Sequence, residues 1–405
     1  MSRVFTCGFE FFQNQDNDIL ALGPNSEINS ILPRRSAANN GGSRALEVNT
    51  LTTNLNTFQP LPYIQNESYI RLYFRMSIPS ATNEFIFYNA VTDDEIFKVG
   101  LSSPTGPLRL NVNGVNVATG IANFTTDVYY SIKIYADIAS SGSITVKVDG
   151  VADISYSGNT AAAGSGWNQL RLNAGGRLFY DDFAINDTYT RVNYKLGNGN
   201  IPSGTLSGSA PGSASIIRHV GDGTSGYMII DKASGSFLDN DSVEDTASFT
   251  ASVDGNEDTG SIGEIKEGFV QLLYPNDNGF HSQLTNSDDN STDNYTYVNQ
   301  QNNIATFVFD KVGGNKDTYS IQNMPSDAIS VNHLDTCFLA QRDGNIVNNL
   351  KSIIRIGAND YESHNEQVPG SIRAVKFSYQ QNPETKSDWL VSDVDQLESG
   401  PELNN

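Results

Sequence analysis

Residues 166–187, GWNQLRLNAGGRLFYDDFAIND, decide how this chain is read. Two apolar-alternating runs, residues 167–172 and 178–185, flank the turn Asn173-Ala174-Gly175-Gly176-Arg177. Period-two alternation broken by Gly-Gly predicts a β-hairpin that places Trp167 and Phe183 in a core. A Gly/Ser-rich composition follows almost at once, so this pair of strands closes whatever precedes it.

Upstream, SYIRLYFRMSI at 68–78 sets Tyr69, Arg71, Tyr73, Arg75 and Ser77 on one face. Ile70, Leu72, Phe74, Met76 and Ile78 fall on the other. That pattern predicts a half-buried strand in a sheet with one solvated face. Further strands are expected at 4–12, 44–48, 84–91, 96–101, 108–112, 115–118, 127–137 and 143–149. Asn113-Gly114 and Asp149-Gly150 occupy tight-turn positions, and residues 14–40, with Pro24 and Pro33, read as a long connection. Many short strands without an amphipathic helix predict a two-sheet sandwich.

The composition agrees. With 38% apolar residues, 20 Phe and 18 Tyr the chain holds enough core material to exclude wholesale disorder. Charged residues are only 18%, and Asn, Ser, Thr and Gly fill the polar positions, which suits strands joined by side-chain-capped turns. At 405 residues, two or three domains fit. The formal net charge of −21 argues against nucleic acid or an anionic membrane surface as partner. No apolar run reaches the roughly 18 residues that span a bilayer, and the first residues, MSRVFTCGFEFF, do not read as a signal peptide. Synthesis in a cytoplasm is the expectation. Cys7 and Cys337, in separate strand-like runs, predict two buried free thiols.

Beyond the closing pair, GNGNIPSGTLSGSAPGSAS at 197–215 reads as a Gly/Ser/Pro linker. Residues 221–253 read as a small hairpin module. Strands are then expected at 268–274, 305–310, 329–342, 350–357 and 371–380, and Ser392 is placed to cap a short helix. The expected organisation is all-β: a jelly-roll sandwich over 1–194, a linker over 195–218, a β-hairpin insert over 219–262 and a second sandwich over 263–405.

Two resemblances refine this. Tyr180-Asp181-Asp182-Phe183, with the strand-rich run before it, resembles the final strand of laminin-G-like, concanavalin A-like jelly rolls. The C-terminal region resembles a β-sandwich module of tailed-bacteriophage virion proteins. The phrases are Lys316-Asp317-Thr318-Tyr319, Met324-Pro325, Arg342-Asp343-Gly344, residues 353–357 with Asn359-Asp360-Tyr361, and a closing phrase. That closing phrase runs from Asn382-Pro383-Glu384-Thr385 through Trp389 to 391–397, with Lys386-Ser387-Asp388 where the pattern has Gly-Ala-Ala. Residues 221–253 are similar to a short β-unit found in phage structural proteins. The resemblance implies a place in a virion, with other virion proteins and copies of this chain as partners. A homo-oligomer is implied, a trimer first.

Chemistry is harder to find. His219, His281, His333 and His364 are scattered, without a pair at metal-ligand spacing. No GxSxG elbow occurs, and the glycines of 221–226 lack the basic residue and helix of a phosphate-binding loop. Asp93-Asp94, Asp181-Asp182 and Asp288-Asp289 are not spaced along an aromatic-framed strand as glycosidase carboxylates are. No catalytic residue is expected and the chain reads as a non-enzyme. Calcium is the candidate cofactor, at Asp288, Asp289 and Asp293 or at Asp181 and Asp182. The first loop lacks the Gly and terminal Glu of an EF-hand, so a solvated acidic loop is the plainer reading. The functional expectation is a virion structural protein of head or tail. The alternatives are a receptor-binding module holding host glycan at the jelly-roll rim and, third, a polysaccharide-degrading enzyme.

Overall fold

The computed structural model describes residues 3–7, 46–49, 56–57, 61, 64–80, 83–173, 175–187, 189–208, 212–254, 273–299, 305–326, 328–331, 333–342, 349–368, 370, 373–379 and 381–404. They are nearly all β, in two units, one built on Arg3–Thr188 and the other on Tyr189–Gly260 with Leu272–Asn405.

The first unit holds β1 (Arg3–Cys7), β2 (Leu46–Asn49), β3 (Asn56–Thr57), β4 (Glu67–Ile78), β5 (Glu84–Asn89), β6 (Asp94–Leu101) and β7 (Leu108–Val112). It continues with β8 (Val115–Thr119), β9 (Tyr129–Asp137), β10 (Gly142–Val148), β11 (Val151–Gly158), β12 (Gln169–Asn173) and β13 (Arg177–Asp187). One sheet has the order β1-β13-β4-β9-β10-β11, with β2 also on β13; the other runs β3-β12-β5-β6-β7-β8. Ile70, Leu72, Phe74 and Met76 of β4 meet Phe87, Phe97 and Val99 of the opposite sheet in one core, with Trp167 and Tyr180. Asn113-Gly114 and Asp149-Gly150 are left-handed pairs, as two-residue hairpin turns require.

Two expectations need correction here. The runs around Gly175-Gly176 are not a hairpin: β12 pairs with β5 and β3, whereas β13 pairs with β4, β1 and β2. The chain arches from one sheet to the other, because Leu170 and Leu172 and then Leu178 and Tyr180 enter the same core from opposite sides. The odd-numbered face of β4 is also only partly solvated: Tyr69, Arg75 and Ser77 are half-buried but Arg71 and Tyr73 are buried, and Ile78, expected on the core face, is exposed. The side chains of Phe183 and Cys7 lie outside the described residues.

In the second unit β14 (Thr190–Lys195), β15 (Thr205–Gly208), β16 (Ser213–Gly221), β17 (Gly226–Ser234), β18 (Ser242–Asp245) and β19 (Thr250–Val253) close a barrel in the order β14-β17-β16-β15-β18-β19. The barrel thus takes β14 almost wholly from the supposed first sandwich and the end of β16 with β17–β19 from the supposed hairpin insert, while β15 and most of β16 come from the supposed linker. Its small residues are barrel wall: Leu206 and Ala214 are buried with Val192, Tyr194, Met228, Phe237 and Phe249.

The remainder carries β20 (Pro275–Ser282), β21 (Thr285–Asn286), α1 (Tyr295–Val298), β22 (Val308–Phe309), β23 (Asn315–Ile321) and β24 (Leu334–Ala340). Then follow β25 (Asn349–Ile356), β26 (Asn359–Glu362), β27 (Glu366–Gln367), β28 (Arg373–Tyr379), α2 (Val391–Val394) and β29 (Glu398–Asn404). The main sheet is β20-β23-β29-β25-β26, with β27 beside β25, and β24 pairs with β28. Leu350 and Ile354 of β25 pack with Val375 and Phe377 of β28 and with Trp389, Val394 and Leu397. The strand expected at 268–274 and the turn Asp343-Gly344 lie largely outside the described residues. The cap of α2 is Leu390, whose N–H donates to Asp393 Oδ2 at 3.0 Å, so Ser392 sits within the helix rather than before it.

Candidate functional site

A dense array of polar and aromatic side chains lies on the face of the sheet around β4 and β9 that is turned away from the first unit's core. Register fixes its rows. Tyr69 pairs with Tyr135, Arg71 with Lys133, Tyr73 with Ser131 and Arg75 with Tyr129; Lys133 in turn pairs with Lys147 of β10. Arg71, Lys133 and Lys147 therefore stand in line across three adjacent strands, an arrangement of like charges that costs stability unless anions answer it. The tyrosines bracket the row: the Tyr69 and Tyr135 rings are 4.8 Å apart, and the Arg75 guanidinium lies over Tyr129 at 5.3 Å. Exposure divides the face. Arg71 (4%), Ser131 (4%), Tyr73 (7%) and Lys133 (8%) are covered, while Tyr69, Tyr129, Arg75, Tyr135 and Lys147 stay partly accessible. All of these residues have further polar or ring interactions. The Tyr135 hydroxyl donates to Glu67 Oε1 at 2.7 Å, and burial followed by that carboxylate keeps it protonated.

The second unit has its own polar centre, on the face of the main sheet away from the β24–β28 pair. Asp360 of β26 accepts from Arg355 Nη1 at 2.6 Å, from Lys316 Nζ at 3.0 Å and pairs with His281 Nε2 at 2.6 Å. Burial alone would raise its pKa, but these three partners outweigh burial and hold it at about 2. A bulge in β20 makes this possible, because the register shifts between Asn278 and Ser282. The Phe280 N–H donates to Glu398 Oε2 at 2.7 Å, and its exposed ring covers the Arg355 guanidinium at 3.9 Å. The group is an ion network whose members answer one another; no nucleophile stands beside the His281–Asp360 pair among its named members.

The other histidines are held likewise. His333 Nε2 lies 2.7 Å from Asp335 Oδ1, His364 Nε2 lies 3.0 Å from Glu366 Oε1, and His219 Nε2 lies 2.6 Å from the Tyr194 hydroxyl. Asp335 also takes Lys376 at 2.7 Å, and against the effect of its burial His333 and Lys376 hold its carboxyl well below the usual range. Neighbouring Cys337 is a free thiol that burial pushes up to about 12, far from a reactive thiolate.

The calcium candidates fall in two places. Asp288, Asp289 and Asp293 are exposed on one loop whose shape comes from Asn286. The Asn286 Oδ1 accepts the N–H groups of Asp288 and Asn290, and its Nδ2 donates to Asn290 Oδ1 and Thr292 O. Asp288 takes the Tyr297 hydroxyl and Asp293 the Asn278 amide. Asp181 pairs through its backbone with Tyr73 at a bulge in β13; the side chains of Asp181 and Asp182 lie outside the described residues. Among the described residues no three His, Cys, Asp or Glu side chains are grouped to hold a metal ion. No helix among them is long and apolar enough to cross a membrane.

No family model matches this chain, and no curated protein does. Among solved structures, a protein of unknown function with a galectin-like fold from Bacillus subtilis is 10% identical over 46% of this chain and 96% of its own, with a TM-score of 0.33. The endo-β-1,4-glucuronan lyase of the fungus Trichoderma reesei is 14% identical over 39% and 87%, at 0.29. A Caenorhabditis elegans galectin is 14% identical over 35% and 95%, at 0.25. Likeness of this size carries no argument about function.

Proposed function

We propose that this chain is a non-catalytic structural component of a tailed-bacteriophage virion. The reading is carried by what the closing phrase does. Asn382 Oδ1 accepts the Glu384 and Thr385 N–H groups while its Nδ2 donates to Asp393 Oδ2 at 2.9 Å. Trp389 is buried, its indole N–H on the Tyr379 carbonyl at 3.0 Å, and Val394 and Leu397 pack beside it on Ile354. The residues that resemble a virion module are therefore those that close the second unit, and packing of this kind supports a structural role. Repeated copies, a trimer first, would let modest contacts add up through symmetry.

The test is location. Antibody raised to this chain should label purified particles in electron micrographs, on head or tail. A chain absent from purified virions yet abundant in the infected lysate overturns the reading.

A second reading, a receptor-binding protein for host glycan, is favoured by one observation. The rim residues Tyr69, Tyr129, Tyr135 and Lys147 combine ring faces with hydrogen-bond donors, the mixture that ligand sites use. Binding on a host-polysaccharide array that is lost with Tyr135→Ala would move the protein to that class; turnover of the polysaccharide would make it an enzyme.

A further inference from the structure

We propose that β1 is an exchanged strand: in the assembled protein the slot on β13 at 183–186 is filled by Arg3–Cys7 of a second copy of this chain. The inference stands apart from the virion reading, because it follows from strand register within the first unit.

Two short strands share one edge of β13. β2 covers its first part, with Asn49 opposite Arg177 and Leu46 opposite Tyr180. β1 covers its last part, with Cys7 opposite Phe183, Thr6 opposite Ala184, Phe5 opposite Ile185 and Arg3 opposite Asn186. Both run antiparallel to β13, so they follow one another along its edge in a single line, interrupted where the register shifts between Asp181 and Ala184. The end of β1 and the start of β2 therefore lie about 10 Å apart. A link of about three residues joins ends that close. The chain has residues 8–45 there instead, a length that reaches about 130 Å when fully extended. A link of that length does not tie β1 to the β13 of its own chain.

Pairing between copies repeats pairing within one. The same five residues meet the same edge, and in the sheet order β13 is the neighbour of β1, so exchange gives up no second ladder. β4 holds the opposite edge of β13 from Arg177 to Asp187, and β2 stays on 177–180, so β13 keeps its place while β1 is away. The free energies of the two arrangements then differ mainly in loop closure, which changes slowly with length for a link this long. A bare strand edge pairs with a matching strand nearby. Among copies held together that strand is another β1. Each copy gives one strand and receives one, and the assembly closes as a reciprocal dimer or a ring.

A cysteine trap tests the exchange. Partners across an antiparallel pair have Cα atoms about 4.5–5.5 Å apart, which a disulfide spans, and Cys7 stands opposite Phe183. Phe183→Cys combined with Cys337→Ser leaves two thiols, both at that pair. Mildly oxidised and then denatured without reductant, the full chain should run as disulfide-linked dimers or trimers, with the peptide around Cys7 joined to the peptide around position 183. The same link in a product of single-chain mass overturns the proposal, as does a wild-type protein that is monomeric at every concentration. Refolding the wild-type chain with an excess of a peptide of residues 2–12 needs no variant. It should give single chains carrying the peptide, and an oligomer that forms unchanged and without peptide overturns the exchange. Both experiments decide whether or not the protein is found on virions.

Discussion

The indole N–H of Trp167 donates to the Ser68 hydroxyl at 3.2 Å across the first sandwich, two residues 99 positions apart. Trp167 comes from the approach to β12 and Ser68 from β4, so one hydrogen bond ties the two sheets at the buried end of the core. The Phe87 ring meets the indole edge-on at 4.9 Å. Trp167→Ala should destabilise the first unit by about 3–5 kcal/mol, the cost of removing a buried aromatic. Ser68→Ala should cost less, about 1–3 kcal/mol, because it strands the indole N–H without a partner. Urea melts of both variants check this, and a midpoint unchanged by Trp167→Ala would show that the core is elsewhere.

Asp360 gives a pH prediction. Its folded-state pKa, about 2, lies below the ordinary 3.8, so it contributes stability above pH 3.8 that is lost as pH falls through 2. A shift of this size corresponds to about 2 kcal/mol. Asp360→Asn should lower the stability of the second unit by at least about that much at pH 7, and the two proteins should converge near pH 2. Trp389 fluorescence in a Trp167→Phe background reports this unit alone, since the chain has two tryptophans. A gap that persists unchanged into acid would mean that the network does not hold Asp360.

What the sequence made legible was period and turn. The Asn-Gly and Asp-Gly turns are local, and the structure has them where they were expected, whereas the alternation of β4 holds only toward its ends, because residues 71–74 are all buried and Ile78 is exposed. Partner choice was not local. Nothing in residues 166–187 distinguishes a hairpin from an arch, because both need inward apolar residues on each side of a glycine turn. The barrel was missed for a related reason: a wall of Ser, Gly, Thr and Ala with a single Leu206 reads as a linker until its neighbours supply the core. Of the polar centre at Asp360, the Arg355 and Asp360 pair sits on adjacent strands of one hairpin and could have been found. His281 reaches it only through a bulge, which leaves no mark in sequence spacing.

The barrel carries its own test. Leu206 is fully buried among Val192, Phe237 and Phe249, so Leu206→Ala should cost about 2–5 kcal/mol. A free linker would feel nothing. Broad-specificity protease should likewise spare 205–208 and 213–221 under native conditions, and early cleavage there would argue that the barrel does not form in solution.

Gly176 sharpens the account of the arch. A Cβ on Gly176 would lie 2.0 Å from the Ile78 carbonyl oxygen and 3.1 Å from its carbon, both backbone atoms of β4 that cannot give way cheaply. Gly176 is thus required by the close approach of two chains and not by a left-handed turn. Gly114 is the opposite case: nothing lies within 4 Å of its Cβ position, but its φ is +74°. The two sites should separate by substitution. Gly114→Asn should be nearly neutral, since Asn tolerates the left-handed region, whereas Gly176→Asn and Gly176→Ala should both cost about 1–3 kcal/mol through overpacking. Thermal melts of the four proteins, wild type included, decide the matter. A Gly176→Ala protein as stable as wild type would remove the close approach of this turn to the end of β4.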